Sequence, residues 1–508
     1  MNFRDLLVPV FFGLFCTMGI QYVFFGNKTQ APAEVHFIAA PKKGQYDPLR
    51  STIDFMTEKQ QSSVKTDIET NWGCISFSSH GGAIDSIDFK REVQGNIETI
   101  RTTFPQIDLS KKEFIVALDE DTPTYYTYKG HNETDNTHEI LYSAHNEKCV
   151  LEKKFIVDKN ATKIDLVLTI TPRDMAYITP RIIYPAPVMA DLVGTDIISS
   201  VIIDRNDGFS KKGINQINTN MGWFEPSMFG MDNRYFIYAL ITDTDGFAQR
   251  AYYTFSEDKQ LSSVLEGPEV STATEWRMSF YCGPKDLTAI SLVDTRLELT
   301  LDYSGMLSML AKLMLRILQW LYTYLHNYGL AIIILTLLIQ LLLLPLSMRN
   351  GEEQFKQQQV EYQKRLALIK HKFKNNPEKL AVEQAELFRT HGLPSLGCLI
   401  PLLLQLPLFF ALSRVLSSSF ELYKAPLFWM TDLSAKDPYY ILPLLFIGMM
   451  IINDGSVVDP QQRMIKTISA IVFGAFISTF SAGLALYIVV GRVFGVMQPR
   501  ILKYFNLV

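Results

Sequence analysis

Gly329-Leu330-Ala331-Ile332-Ile333-Ile334-Leu335-Thr336-Leu337-Leu338-Ile339-Gln340-Leu341-Leu342-Leu343-Leu344-Pro345-Leu346 carries no charged side chain. A helix that crosses roughly 30 Å of hydrocarbon needs about 20 predominantly apolar residues, so this run, closed by Arg349, reads as a membrane span. Further apolar runs follow at 396–412, with Pro401 and Pro407 inside it, and at 439–452, 468–480 and 483–497. The last three are short and close together, which suggests a compact bundle. Proline is tolerated in such spans because neighbouring helices re-satisfy the freed backbone groups. Residues 6–25 form one more uncharged run. It exceeds the apolar core of a signal peptide and no A-x-A pattern follows it closely, so residues 1–26 read as an uncleaved anchor and the expected count is six crossings.

The bulk composition hides this. The 508 residues are 48% apolar, within the globular range, and mean hydropathy is only +0.09. A net charge of −4 argues against a nucleic-acid-binding body. The five cysteines lie far apart with no CxxC, which disfavours a zinc site or a dense disulfide framework. No GxxxxGK[ST] is present, so no nucleotide motor is expected, and no cofactor or metal either.

Charge fixes the orientation. Residues 349–391 hold nine basic and six acidic side chains, net +3, and basic loops stay in the cytoplasm. Arg492, Arg500 and Lys503 agree with that side, and six crossings return both termini to it. The segment 27–304 carries −12 and reads as an exported domain behind a tether over 27–63. From about Val64 its pattern is strand-like: Ile164, Leu166, Leu168 and Ile170 alternate with Asp165, Val167 and Thr169. Gly81-Gly82 marks a hairpin, and Asp243-Thr244-Asp245-Gly246 a turn. Several strands at such spacing predict a β-sandwich or barrel over 64–304. Asp119-Glu120-Asp121 reads as a solvated loop, and His80, His131, His138 and His145 lack metal-ligand spacing, so no catalytic role is assigned.

Two more helical features flank the bundle. Residues 305–326, with Lys312 and Arg316 among Leu, Met and Trp320, suit an amphipathic helix lying in the outer interface. Residues 350–391 form a helical hairpin broken at Asn375-Asn376-Pro377. Its apolar stripes (Leu366, Ile369 and Phe373; Leu380, Leu387 and Phe388) pack its arms together, leaving a basic surface suited to anionic lipid or a ribosome.

Polar residues inside spans are costly and mark candidate sites. Thr336 and Gln340 share a helix face at i, i+4; Gln405, Ser469, Tyr487 and Arg492 lie in the later spans. Phe409, Leu406 and Ile488 are candidates for an apolar flank. Helix–helix hydrogen bonding alone accounts for Gln and Ser at about 0.6 kcal/mol each. A buried arginine, costing at least roughly 2.5–3.5 kcal/mol, calls for a wet cavity.

The run Leu396-Gly397-Cys398-Leu399-Ile400-Pro401-Leu402-Leu403-Leu404-Gln405-Leu406-Pro407-Leu408-Phe409 resembles the third span of the bacterial YidC-type membrane protein insertases. Phe428-Trp429-Met430-Thr431-Asp432-Leu433-Ser434-Ala435-Lys436-Asp437-Pro438-Tyr439-Tyr440 is similar to that family's next loop, and Asp459-Pro460-Gln461-Gln462 and Gly483-Leu484-Ala485-Leu486-Tyr487 fit its later spans. The resemblance implies a polytopic α-helical membrane protein of the bacterial inner membrane: an anchor, a five-helix core over 329–508 and a periplasmic all-β supersandwich. It implies no enzyme, but an insertase and chaperone for nascent membrane proteins, working through a polar groove open to cytoplasm and lipid, beside the Sec translocon. Thr336, Gln340, Gln405, Phe409, Ser469, Tyr487, Ile488 and Arg492 are its expected groove and slide residues. The family places an arginine in the second span where Gln340 stands here, so Arg492 is expected to supply the cation from the last span. The alternative, a transporter or channel with a carbohydrate-binding-like β-domain, would favour internal repeats, and none is evident.

Overall fold

The computed structural model describes residues 49–504 apart from 51, 60, 94, 119–120, 175, 190–199, 206–207, 218–220, 256–259, 302–306, 350–360, 362–363, 375, 392–395 and 453–459. The anchor over 1–26, the first part of the hairpin, and Asp119 and Glu120 lie outside the described residues. The chain divides into two compact units, one formed mainly by residues up to Asp302 and one mainly from Tyr303 onward.

Among the described residues the first unit has eighteen strands: β1 (Lys65–Glu69), β2 (Gly73–Ser78), β3 (Ala83–Val93), β4 (Asn96–Thr103), β5 (Ile115–Ala117), β6 (Thr127–Glu133), β7 (Thr137–His145), β8 (Cys149–Asp158), β9 (Lys163–Pro172), β10 (Arg181–Pro185), β11 (Ser200–Arg205), β12 (Gly208–Gly213), β13 (Gly222–Phe224), β14 (Met228–Asp232), β15 (Phe236–Asp243), β16 (Arg250–Phe255), β17 (Leu261–Glu266) and β18 (Thr274–Pro284). They pair into sheets β1-β2-β3-β4, β13-β16-β17-β10-β5 and β12-β11-β14-β15-β18-β9-β8-β7-β6. Rings cross between sheets: Phe77 lies 5.1 Å from Phe155, Phe89 4.9 Å from Phe236, and Tyr184 5.4 Å from Phe280. The alternation in β9 holds, with Ile164, Leu166, Leu168 and Ile170 all buried. Asp165 is buried too, held by Arg277 at 2.8 Å.

Gly81 and Gly82 make the expected hairpin, at φ +83° and +50°. A Cβ there would meet Ile115 or Tyr126 at 2.7 Å, so only glycine fits both the backbone and the space. One expectation needs correction. The tether predicted over 27–63 does not reach Val64, because Leu49, Ile53 and Phe55 already pack against buried residues of the sheets. The turn expected at 243–246 is present and joins two sheets: β15 lies in the nine-stranded sheet and β16 in the five-stranded one, so the chain changes sheets there. Asp243 shapes that corner by accepting from the Phe247 and Ala248 amides at 3.0 and 2.7 Å.

α1 (Leu287–Val293) follows the strands. The second unit is helical: α2 (Ser308–Leu325), α3 (Tyr328–Arg349), α4 (Pro377–His391), α5 (Leu396–Ser418), α6 (Ile441–Ile452), α7 (Pro460–Ile477) and α8 (Ala482–Tyr504). α2 buries Ala311, Met314, Leu315, Leu318 and Leu321 and exposes Met309, Leu313, Trp320 and Tyr324. It ends at His326, whose left-handed backbone lets the chain turn directly into α3. α3 packs on α2 and α8, and α6 on α7 and α8.

Over the described residues, no helix is both long and apolar enough to cross a membrane. The side chains of residues 345–349 in α3, 396–404 in α5 and 499–504 in α8 lie outside that description.

Candidate functional site

The loop 427–437 positions the bundle. Asp437 is buried and accepts from the Leu442 amide at 2.8 Å, which caps α6, and from the Trp429 indole at 3.1 Å. The Leu433 and Ala435 carbonyls accept from the Gly483 and Ala482 amides at 2.8 and 2.6 Å. One loop thus satisfies the otherwise orphaned amides at the starts of α6 and α8. That is a physical reason for the Phe428-to-Tyr440 pattern singled out from sequence.

α3 turns one face inward. Ile332, Leu335, Thr336 and Ile339 are buried, whereas Leu337, Leu338, Leu341 and Leu342 are exposed, the last at 75%. Thr336 spends its hydroxyl on its own helix, donating to the Ile332 carbonyl at 2.6 Å. Gln340, one turn on and half-buried, lies over Gly491 of α8: a Cβ at 491 would sit 3.1 Å from its Nε2 and 3.9 Å from Thr336 Cγ2. The α3 polar face therefore meets α8 next to Arg492.

α5 and α8 meet through a second polar contact. Gln405 Nε2 donates to the Tyr487 hydroxyl at 2.6 Å, and Tyr487 is buried. The Phe409 ring, one turn beyond Gln405, lies 6.5 Å from Tyr487 and 6.2 Å from Phe480. Ile488 and Leu406 are half-buried. Arg492 is also half-buried, and its Nε is buried without a hydrogen-bond partner among the described residues.

Seven of the eight expected residues thus lie on α3, α5 and α8, whose contacts run Thr336 and Gln340 to Gly491 and Gln405 and Phe409 to Tyr487. Ser469, on α7, instead donates to its own Ile465 carbonyl at 2.9 Å. Gly491 was not legible as a site residue, since a glycine in a span signals close approach without saying to what.

The β unit holds buried charge of another kind. Lys153 occupies the inward register of β8 and donates to the Gly81, Gly82 and Phe114 carbonyls at 2.9, 3.1 and 3.0 Å. Burial pushes its ammonium well below the usual lysine range, and pushes the Glu113 carboxyl well above the carboxylate range. His131 and His138, unremarkable in sequence, are 3.0 Å apart, and His138 Nε2 meets the Glu69 carbonyl at 3.1 Å. That carbonyl requires a proton on Nε2, so His138 Nδ1 accepts from His131. Among the described residues no group of three His, Cys, Asp or Glu could hold a metal ion.

Two family profiles match consecutive parts of the chain: the YidC periplasmic domain over residues 202–317 and the 60Kd inner membrane protein over residues 320–506. The membrane protein insertase YidC of Geotalea daltonii is 33% identical over 323 residues, covering 62% of this chain and 57% of that protein. The one from Helicobacter pylori is 28% identical over 383 residues, covering 71% and 68%. The chain spans little more than half the length of the first of these relatives. A solved structure of an active YidC insertase with its first transmembrane domain resolved is similar at 15% identity and a TM-score of 0.35, covering 88% of this chain and 94% of that one.

Proposed function

We infer that this chain, which belongs to the YidC family of inner membrane proteins, inserts nascent membrane proteins into the bilayer and assists their folding. The reading places α3, α5, α6, α7 and α8 across the membrane with the N-terminal run as a sixth crossing, the β unit outside the cytoplasm, and both termini and the 350–391 hairpin inside it.

The physical problem is the polar backbone of the incoming segment. Each bare peptide group costs several kcal/mol in hydrocarbon, so a dry path for an N-terminal tail is slow. A wet notch reaching partway into the bilayer shortens that path. Gln340, Gln405, Tyr487 and Arg492 would line it, and Phe409, Leu406 and Ile488 would form the apolar side along which a client helix slides into lipid. Arg492 would attract acidic groups in the tail, in place of the arginine that the family carries where Gln340 stands. Thr336 and Ser469 hold their hydroxyls on their own helices, so they serve packing more than client contact. With no nucleotide motor, insertion would draw on hydrophobic transfer and on the membrane potential, about 2.3 kcal/mol per charge per 100 mV. Nascent membrane proteins and lipid are the partners this activity requires; the Sec translocon, and a ribosome at the basic hairpin, are proposed with it.

The observation that carries this reading is the partly buried Arg492, its Nε unpartnered among the described residues, on an apolar helix whose preceding residue packs against the Gln340 amide. Complementation of insertase-depleted cells tests it. Arg492→Ala should abolish growth, and Gln340→Ala should have a mild effect. The reverse ranking would overturn the assignment.

A further inference from the structure

His131 and His138 share one face of the β6–β7 hairpin, at the edge of the nine-stranded sheet. Glu133 stands directly across from His138, and His131 lies two residues along β6 from Glu133, hence on the same side. His131 Nε2 and His138 Nδ1 are 3.0 Å apart. Two imidazole nitrogens that bind one cation at about 2.0–2.1 Å stand about 2.9 Å apart at a right angle and about 3.3 Å apart at a tetrahedral one. The pair therefore already holds the spacing of adjacent metal ligands. His138 is also held as a ligating imidazole is held. It is buried, and its Nε2 proton goes to the Glu69 carbonyl at 3.1 Å, which fixes the ring and leaves Nδ1 as the basic nitrogen. His131 is exposed, so its ring can turn to aim Nε2 at a cation beside the line between the two nitrogens.

We propose that His131 and His138 form a surface site for a late first-row divalent cation such as Zn2+, which clamps the edge hairpin. The inference stands apart from the insertion reading. No third His, Cys, Asp or Glu completes a ligand set among the described residues, so water fills the remaining positions, as at metal sites that stay open. The cation takes the place of the proton shared between the rings. The His131 proton moves from Nε2 to Nδ1, both imidazoles bind neutral, and no net proton is released. Glu133 adds negative charge that acts on both rings, although its carboxylate also holds Lys159 at 2.6 Å. Because His138 is tied to Glu69 at the end of β1, the clamp joins the β6–β7 edge to the β1 strand of the neighbouring sheet.

The test uses the full chain in detergent, without an affinity tag, stripped by a chelator and titrated with Zn2+ in a calorimeter. Wild type should bind one equivalent more tightly than His131→Ala or His138→Ala, by at least tenfold, since losing even a second-shell partner of a metal costs about 10–100-fold. His131→Cys, which restores a ligand, should recover the binding. Hydrogen exchange over residues 127–145 separates a clamp from a damaged fold. At about a hundredfold excess of free Zn2+ over its dissociation constant, openings that break the site should become about a hundredfold rarer in wild type. His131→Ala, altered only at an exposed position, should gain no such protection. Equal Zn2+ affinity in wild type and His131→Ala, or protection of 127–145 that ignores Zn2+, would overturn the proposal.

Discussion

Replacing Lys153 by methionine keeps the aliphatic stem and removes the amino group that ties the Gly81-Gly82 hairpin to β8. Three carbonyls, now bonded at 2.9, 3.1 and 3.0 Å, would lose their donor in a site that excludes water. Each unsatisfied buried acceptor costs about 1–3 kcal/mol. Against this, the variant no longer buries an amino group, which recovers a penalty of several kcal/mol. A net loss of about 3 kcal/mol is expected, or roughly a hundredfold faster amide exchange in β2 and β3 where opening is local. Hydrogen exchange with mass spectrometry on the full chain reads it peptide by peptide. The pH dependence provides an internal check. Burial depresses the folded-state pKa, so between that value and about 10.4 the unfolded chain binds more protons than the native one, and raising the pH favours the native wild type. Lys153→Met should lack that slope. Unchanged or increased protection of the hairpin in the variant, or identical slopes, would refute the reasoning.

Glu113 titrates in the opposite sense: burial raises its folded pKa, so its stability contribution is full below about pH 4 and is lost as pH rises toward the folded value. Glu113→Gln should therefore stabilise the β unit at pH 7–8 and be close to neutral at pH 4, as urea unfolding followed by tryptophan fluorescence would register. His138 is shifted down, chiefly by burial, so the stability it lends is present above about pH 6.5 and is lost as pH falls through its folded value. Protection, corrected for intrinsic exchange, at the Asn71–Gly73 turn, next to the Glu69 carbonyl that His138 holds, should fall at pH 5 in the wild type, and His138→Ala should make that protection pH-independent. Gly491→Val changes no charge but pushes atoms toward Gln340. Client insertion should fall several-fold, and adding Gln340→Ala should restore it; no rescue would mean that the loss arises elsewhere.

What the sequence made legible followed from strong, short-range rules. The uncharged run at 329–346, the Gly81-Gly82 hairpin and the alternation of β9 each depend on one element's own periodicity. The sheet change at 243–246 was not legible, because a turn sequence states that the chain reverses but not which strand it then joins. Lys153 was missed because a lysine in a strand ordinarily points to water, and only three converging carbonyls explain its inward register. At the candidate site, composition nominated Gln405 and Tyr487 separately, but their 2.6 Å contact is tertiary. Gly491 gained meaning only once Gln340 was seen against it.

Insertion through this site requires a client segment to lie against α3, α5 and α8. Site-specific photo-crosslinking to a stalled, single-span nascent client, with the photoreactive residue placed in turn at 340, 405, 487 and 492, measures this most directly; position 342, exposed on the outer face of α3, serves as the comparison. Adducts from the four inner positions that exceed those from 342 and disappear when the client is released are the predicted result. Adducts from 342 alone, or none from 405 and 492, would contradict it.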